Sequence, residues 1–512
     1  MGYRELSFNL PSDYEEGDLR DAIAKKLGIE KFSWQIERKS LDARKKNDIH
    51  WQVHVTVLSD DLPGGYPPVT PELAIPSRVR KEKAVVVGSG PAGFFAALVL
   101  QKAGFRTTLI ERGTDVQKRA DGIKTFEQTG IFNPVSNYAF GEGGAGTFSD
   151  GKLTSRSKHI SREKRFIIES YFRAGAPREI RYLAHPHLGS DNLKSIVANL
   201  RSEYLDLGGT FLFETLLEDI RIKGGRVVEA VTSAGGIEAE FFVIAPGHSA
   251  YETYRMLIAR GVGFRAKPFA LGSRVEHPQE LINRAQWGRE TLPGVRAAEY
   301  RLTSRGNGLL PIYTFCMCPG GIIVPATAYA HTNIVNGMSR YRRDGRFANA
   351  ACVAAVRPED LTAKETSALE TLNRLEALEE KFFRFSGGFA APSCTIADFI
   401  AGKESGTILP SSYPLGLRPA PLREMLPPPV SSALREGIKD FCRKIRGFET
   451  GMIMGLESKT SSPVQAVRDT SGLCTGFENL YVVGEGSGWA GGIISSGADG
   501  IRAAMNIAET AL

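Results

Sequence analysis

The sequence predicts an α/β protein in which a mainly parallel α/β domain is interrupted by an inserted α+β domain and preceded by a small α+β domain. Three observations carry that expectation. Residues 83–112 run as an apolar strand, a glycine-rich turn, an apolar helix and a second strand ending on Glu111. A second glycine-rich junction between strand and helix, Asn479 to Ala498, follows about 400 residues later. Between them, from about residue 265, the chain changes to short strand-like segments separated by turns. The domains expected are therefore 1–80, then 81–255 together with 452–512, and 256–451 inserted between those two halves. A chain of 512 residues is long enough for two or three such cores.

In the first part, residues 3–10 alternate like a strand, and Leu19, Ile23 and Leu27 have helical spacing. Phe32 to Lys39 and Ile49 to Leu58 read as two further strands. The second alternates cleanly, with Trp51, Val53, Val55 and Val57 against Gln52, His54 and Thr56. Their connection carries Arg38, Lys39, Arg44, Lys45 and Lys46, a basic hairpin tip. The unit as a whole is neutral, with 14 basic and 14 acidic residues over 1–83, and no aromatic platform interleaves the charges. A solvated turn is therefore favoured over a nucleic-acid surface. Leu62 to Pro76, with five prolines and two glycines, has the composition of a linker.

The strand–turn–helix at 83–112 has the parts that a dinucleotide needs. Gly88 permits the tight turn, Gly90 lets the backbone approach a pyrophosphate, and Gly93 lets helix and strand pack closely. Glu111, 18 residues past Gly93, stands where an adenosine ribose is bonded. Tyr138 to Leu153, YAFGEGGAGTFSDGKL, holds five glycines among Thr147, Ser149, Asp150 and Lys152. A loop of that kind can wrap a planar or phosphorylated ligand with its N–H groups. Leu193 to Leu207 is an amphipathic helix and Thr210 to Phe213 a strand. Val227 to Thr232 and Ala239 to Ile244 read as a hairpin through Gly235-Gly236, the second strand returning to the nucleotide sheet and ending on Ala245-Pro246-Gly247.

In the inserted part, strands are expected at Ala270 to Glu276, Arg296 to Thr303, Ile312 to Cys318, Ile322 to Ala326 and Asn333 to Met338. A helical stretch from Pro358 to Arg384 and a helix near Ser431 to Arg446 follow. Cys316 and Cys318, two apart on one strand, share a face, as a redox pair or, more commonly, as buried thiols.

Composition narrows the class. Hydrophobic residues make up 42% and charged residues 24%, as in folded globular chains. No apolar run approaches the ~18 residues of a membrane span, and the first residues lack an export signal, so a cytoplasmic protein away from membranes is expected. The six cysteines have neither zinc-type nor disulfide-framework spacing, so no metal is expected. Of the net charge of +7, most lies in 152–181, where nine basic residues face three acidic ones. That stretch is either a solvated helix face or a surface for an anion.

Taken together, VVVGSGPAG with Glu111, GEGGAGTFSDGKL, VIAPG and NLYVVGEGSGWAGGI resemble the FAD-dependent oxidoreductases of the glutathione-reductase-like nucleotide fold. With FCMCPGG, NGMS and ESKTSSP the resemblance extends along nearly the whole chain, to uncharacterised bacterial FAD-dependent dehydrogenases that carry a small N-terminal domain. It implies a Rossmann-like FAD-binding domain with an inserted substrate domain. It also implies that Gly88, Ser89, Gly90, Pro91, Ala92 and Gly93 hold the pyrophosphate, Glu111 the ribose, and Arg112 and Leu217 the adenine side. Gly146, Thr147, Asp150 and Lys152 would line the cofactor, with Gly247 at the strand end. Gly484 and Glu485 stand where many relatives have Gly-Asp at the ribityl chain. Gly491, Gly492 and Ile493 would present N–H groups to the pyrimidine end of a non-covalently held flavin. Neither His185 nor His187 sits in an attachment context.

The midchain lacks the second GxGxxG of two-dinucleotide members, and the CxxC of disulfide reductases is absent, so NAD(P)H stays open only as a transient reductant. The expected function is a dehydrogenase or reductase passing hydride through flavin N5 to or from a small anionic molecule. Glu457, Lys459, Thr460, Cys316 and Cys318 are the substrate-side candidates, Lys459 binding an anionic substrate or acting as an acid, or else pairing with Glu457. The alternatives are a flavoprotein acting on RNA through its N-terminal domain and a non-catalytic redox sensor. Neither the sequence nor the resemblance specifies the oligomeric state.

Overall fold

The computed structural model describes residues 1–68, 71–362, 364–404 and 406–510. Residues 69–70 of the expected linker and residue 363 of the expected 358–384 helical stretch lie outside the described residues.

β1 (Gly2–Pro11), β2 (Ser33–Asp42) and β3 (His50–Ser59) form an antiparallel sheet in the order β1-β3-β2. The alternation seen in the sequence is its physical basis: Val53, Val55 and Val57 are buried against Leu19 and Ile23 of the helix Glu16–Leu27. The unit is tied to the rest of the chain through the backbone of Lys39, which donates to the Tyr182 carbonyl at 2.8 Å and accepts from Ala184 N–H at 2.9 Å.

β4 (Lys83–Val87), β5 (Arg106–Ile110) and β6 (Thr210–Leu212) belong to a parallel five-stranded sheet. Its remaining strands are β10 and β21, described below. The helix Pro91–Lys102 between β4 and β5 is apolar on all sides and buried along most of its length, packed by the helix Ile493–Thr510. β7 (Leu217–Lys223), β8 (Arg226–Thr232) and β9 (Gly235–Glu238) make a separate antiparallel sheet. The hairpin partner of β8 is thus Gly235–Glu238 and not Ala239 to Ile244. β10 (Phe241–Ile244) instead pairs in parallel with β4 on one side and the late strand on the other.

After β11 (Phe264–Ala266) comes β12 (Phe269–Pro278), in an eight-stranded, mostly antiparallel sheet. The sheet also holds β13 (Thr303–Ser304), β14 (Ile312–Pro325), β15 (Val335–Ser339), β16 (Phe347–Val356), β17 (Ala391–Thr395), β18 (Leu417–Pro419) and β19 (Met452–Glu457). The strand Met452–Glu457, expected beyond the 451 boundary, pairs with β12 and β17 and so lies in this sheet. The strand expected at Arg296 to Thr303 is reduced to two residues, and the two strands expected at 312–318 and 322–326 are one continuous, bulged β14. The expected 358–384 helix is split into Pro358–Thr362 and Ala368–Ser386. Small residues along β16 (FANAACVAAV) are nearly all buried, letting the helix Pro428–Lys444 lie close on the sheet. β20 (Val464–Ala466) pairs with β11, and β21 (Leu480–Val482) returns to β10, giving the parallel order β21-β10-β4-β5-β6. Among the described residues no helix is long and apolar enough to cross a membrane.

Candidate flavin and substrate site

The C-terminal ends of β4, β10 and β21 meet, and each continues into a glycine turn. Parallel α/β sheets place their ligand at that edge. Gly88 has φ +90°, and a Cβ there would collide with the Ala245 carbonyl, so the tight turn requires glycine. A Cβ on Gly93 would collide with the Gly88 carbonyl, while one on Gly486 would press on Gly247. Gly90 differs, since its nearest neighbour would be the Gly144 Cα at 3.8 Å, and Gly247, Gly491 and Gly492 face open space. The glycines therefore divide into those that close the fold and those that leave a cradle.

Glu111 is buried and accepts from Ser89 N–H (3.0 Å), Ser89 Oγ–H (2.7 Å), Gly113 N–H (2.9 Å) and Gly141 N–H (3.1 Å), fixing the first loop against the second. Arg112 lies over the Phe140 ring and pairs with Glu252. Leu217 is buried at the start of β7.

The second loop is held by a residue that its own sequence did not reveal. Arg119, fully buried, donates to the carbonyls of Asn137 (2.8 Å), Tyr138 (2.9 Å), Gly141 (3.2 Å), Glu142 (2.8 Å) and Gly144 (2.8 Å). Burial lowers its pKa to about 10, so it stays charged at neutral pH. The only signal was a basic residue among the buried positions of an amphipathic helix, Val116–Thr129. Gly146 packs beside Ile493, bringing this loop to the N-terminus of the last helix.

On the closing side Gly484 has φ +76°, and its N–H is held by Asp499 at 2.7 Å. Glu485 accepts from the Gly492 backbone. Burial raises its pKa to about 7, against the opposing pull of that bond and of Lys267.

Asp150 and Lys152 reach away from the cradle into the eight-stranded sheet. Asp150, fully buried, accepts from Arg343 (3.0 and 2.6 Å), from Lys152 (2.6 Å) and from Ser339 Oγ. Burial opposes its ionisation, but Lys152 and Arg343 outweigh it and hold the carboxyl far below the usual range. Lys152 also donates to the Met317 carbonyl. Of the nine basic residues in 152–181, Lys152 alone enters this network; the exposed ones lie along the surface, Arg181 for example pairing with Glu169.

Glu457 is paired with Arg274 at 2.9 Å, both buried, and Arg274 also donates to Asn349 (2.6 Å), Asn336 (2.8 Å) and the Cys316 carbonyl (3.2 Å). Gly337 of the NGMS stretch makes room for that guanidinium, since a Cβ there would strike it. Thr460 Oγ donates to Glu457 at 3.4 Å. Lys459 does not pair with Glu457. Its partner is Glu379 at 2.9 Å, on the helix Ala368–Ser386, with Tyr251 Oη beside it and Ser458 on the same carboxylate. The Nε2 of His248, next to Gly247, is buried with no hydrogen-bond partner.

The residues fit FAD: open glycines at Gly90, Gly247, Gly491 and Gly492 leave room along the ends of three parallel strands, and helix N-termini at Pro91 and Ile493 face it.

Comparison with known proteins agrees. Residues 81–166 match a family model described as an FAD binding domain, 268–460 one described as FAD-dependent protein, C-terminal domain-like, and 3–58 a domain of unknown function. An uncharacterised protein of Clostridium beijerinckii is 40% identical over 532 residues, covering 99% of each chain. Among solved structures, L-proline dehydrogenase from P. horikoshii is similar at TM-score 0.36 and 12% identity, covering 85% of this chain and 95% of that one. Glycine oxidase from Bacillus cereus is similar at TM-score 0.31 and 12% identity, covering 84% and 96%. No residue role is transferred from either. The chain uses FAD as its cofactor and belongs, with the Clostridium beijerinckii protein, to a family of FAD-dependent oxidoreductases.

Proposed function

We propose that the protein is a dehydrogenase or reductase that passes hydride between flavin N5 and a small anionic substrate lying between the flavin cradle and the eight-stranded sheet, on a nucleotide fold of the glutathione-reductase type. Bound FAD supplies a two-electron centre that accepts or donates hydride. The observation that carries the reading is the buried polar array of Asp150, Lys152, Arg343, Arg274 and Glu457, which joins the cofactor loop to the floor of the sheet. Burying so many charges is costly, and such arrays concentrate at functional sites. Lys152, with 29% of its side chain exposed, is the cation able to meet an anion. Gly491, Gly492 and the helix N-terminus at Ile493 favour negative charge at the pyrimidine end of the cofactor. Lys459 and Glu379 hold the loop before β20 in place. NAD(P)H fits as a transient hydride donor.

The test is to follow flavin absorbance anaerobically while small carboxylates, thiols and NAD(P)H are supplied. One class of anion should bleach the flavin, or reoxidise it once reduced, and K152M should raise the KM for it about 10-fold or more, the cost of one charged hydrogen bond. A flavin that exchanges electrons equally well with neutral and anionic compounds, with no effect of K152M, would overturn the reading.

A further inference from the structure

Cys316 and Cys318 lie where β14 departs from regular pairing. Phe315 pairs with Ala351 and Cys318 with Asn349, so three steps along β14 face two along β16. The extra residue makes a bulge, and it places Cys316 at φ +42°, a left-handed conformation that a residue with a Cβ rarely adopts. Two consequences follow. The bulge folds the strand back on itself, so that the Cys318 thiol donates to the Cys316 carbonyl at 3.3 Å. It also divides the pair by access: Cys316 is partly exposed beside Phe315, which is 44% exposed, whereas Cys318 is fully buried.

The surroundings are charged. Lys152, Arg274 and Arg343 are cationic, and Asp150, Glu457 and Glu299, which pairs with Arg343 at 3.6 Å, are anionic. Lys152 donates to the Met317 carbonyl and Arg274 to that of Cys316, so both cations bracket the CxC segment. His187 does not alter this balance, because burial, followed by Arg343, lowers its pKa to about 4 and leaves it neutral. The adjacent Cys318 thiol, with Lys152 and Arg274, outweighs burial and lowers the Cys316 pKa, whereas the Cys318 pKa is raised. Cys352, Cys394 and Cys474 instead have pKa values raised chiefly by burial, as inert thiols do.

We propose that Cys316 and Cys318 are a dithiol–disulfide pair that exchanges two electrons with the flavin on one side and with a thiol/disulfide substrate on the other. The proposal rests on the oxidoreductase reading above and narrows its substrate to a thiol, which meets the site as an anionic thiolate. In the reducing direction the Cys316 thiolate attacks one sulfur of the substrate disulfide. That S–S bond breaks, and the departing thiolate takes the Cys318 proton. The Cys318 sulfur then attacks Cys316, forming the Cys316–Cys318 bond and releasing the second substrate thiolate. Reduced FAD, held by the residues of the cradle, would supply the two electrons and two protons that restore the two thiols, and NAD(P)H would serve as the hydride donor that renews it. Oxidation of a thiol substrate runs the same steps in reverse.

The experiment is an anaerobic reductive titration of the FAD-loaded full chain after oxidation with diamide, with the thiols read separately by alkylation and mass spectrometry. Wild type should take up ~2-fold the reducing equivalents of C316S and of C318S, because the disulfide and the flavin are each two-electron couples. Cys316 and Cys318 should resist iodoacetamide before reduction and react after it. C442S, which removes a partly exposed thiol elsewhere, should titrate like wild type. If wild type takes up no more than C316S, or if both thiols alkylate freely after oxidation, the pair is not redox-active, whereas the flavin reading stands as long as the flavin bleaches. A flavin that exchanges electrons with no substrate class, while the disulfide still forms and is reduced, would instead overturn the reading beneath the proposal.

Discussion

Arg119 illustrates how one side chain sets the shape of a loop. Its five carbonyl acceptors lie within residues 137–144, so replacing it with Met leaves buried oxygens without donors. R119M should lose about 3 kcal/mol or more in urea unfolding and lower FAD affinity as well, and R119K, with fewer donors, should fall between the two. Glu485 makes a prediction in pH. Its pKa in the folded chain, about 7, lies above the ordinary 4.5, so between those values the folded chain holds a proton that the unfolded chain has lost. Stability from this group is complete below pH 4.5 and falls as pH rises towards 7. E485Q apoprotein should match wild type near pH 4.5 and become progressively more heat-stable than wild type up to pH 7; a difference in Tm that does not change with pH would remove Glu485 from this role. These partners were hard to read in the sequence. The place of Glu111 at the end of a strand–helix–strand was legible, but its partners Ser89, Gly113 and Gly141 were not. Nor was the partner of Lys459, because Glu379 lies on a helix 80 residues earlier and nothing local announces it.

At the scale of elements, the glycines of the first turn make opposed predictions. A Cβ at Gly93 would collide with the Gly88 carbonyl, whereas one at Gly90 meets nothing closer than 3.8 Å. G93A should therefore destabilise the apoprotein, while G90A should leave its unfolding free energy within ~0.5 kcal/mol of wild type and weaken FAD binding. Equal FAD affinity in G90A and wild type would show that Gly90 does not border the cofactor. Elements with local causes were legible: the N-terminal unit through its clean alternation, and the two glycine junctions through their turn chemistry. Elsewhere periodicity misled. Ala298, Tyr300 and Leu302 are buried and alternate as in a strand, yet ladder pairing begins only at Thr303, because burial alternates wherever an extended segment lies on a core. The strands expected at 312–318 and 322–326 are one, because a strand carrying bulges absorbs the Pro319 and Gly320 that lie between them.

For the whole molecule, the small N-terminal sheet is attached through the Lys39 backbone pair, the seating of Gly294 on Ser12 and Asp13, and Leu41, Ala43 and Ile49 packed against the core under the large sheet. No residue of the cradle described above comes from it. Deleting residues 1–62 should therefore preserve FAD binding, measured by flavin fluorescence, while lowering Tm, and loss of FAD binding would show that the sheet shapes the cradle from a distance. The change to short strand-like segments near residue 265 was visible in the sequence, but the register of the large sheet was not, since its central pairing joins β12 to β19, more than a hundred residues later.

The position of β21 beside β10 also has a temporal consequence. Its partner β10 is synthesised more than two hundred residues earlier, and the Gly491–Ile493 side of the cradle comes later still. A growing chain thus carries Gly88 to Gly93 without the Gly491–Ile493 side of the cradle until about 400 further residues have been made. In the proposed site, bound FAD would touch the early and the late segments together and act as a clasp between them. Its release should let the C-terminal strand and helix peel away first, a protease-sensitive opening that added FAD closes.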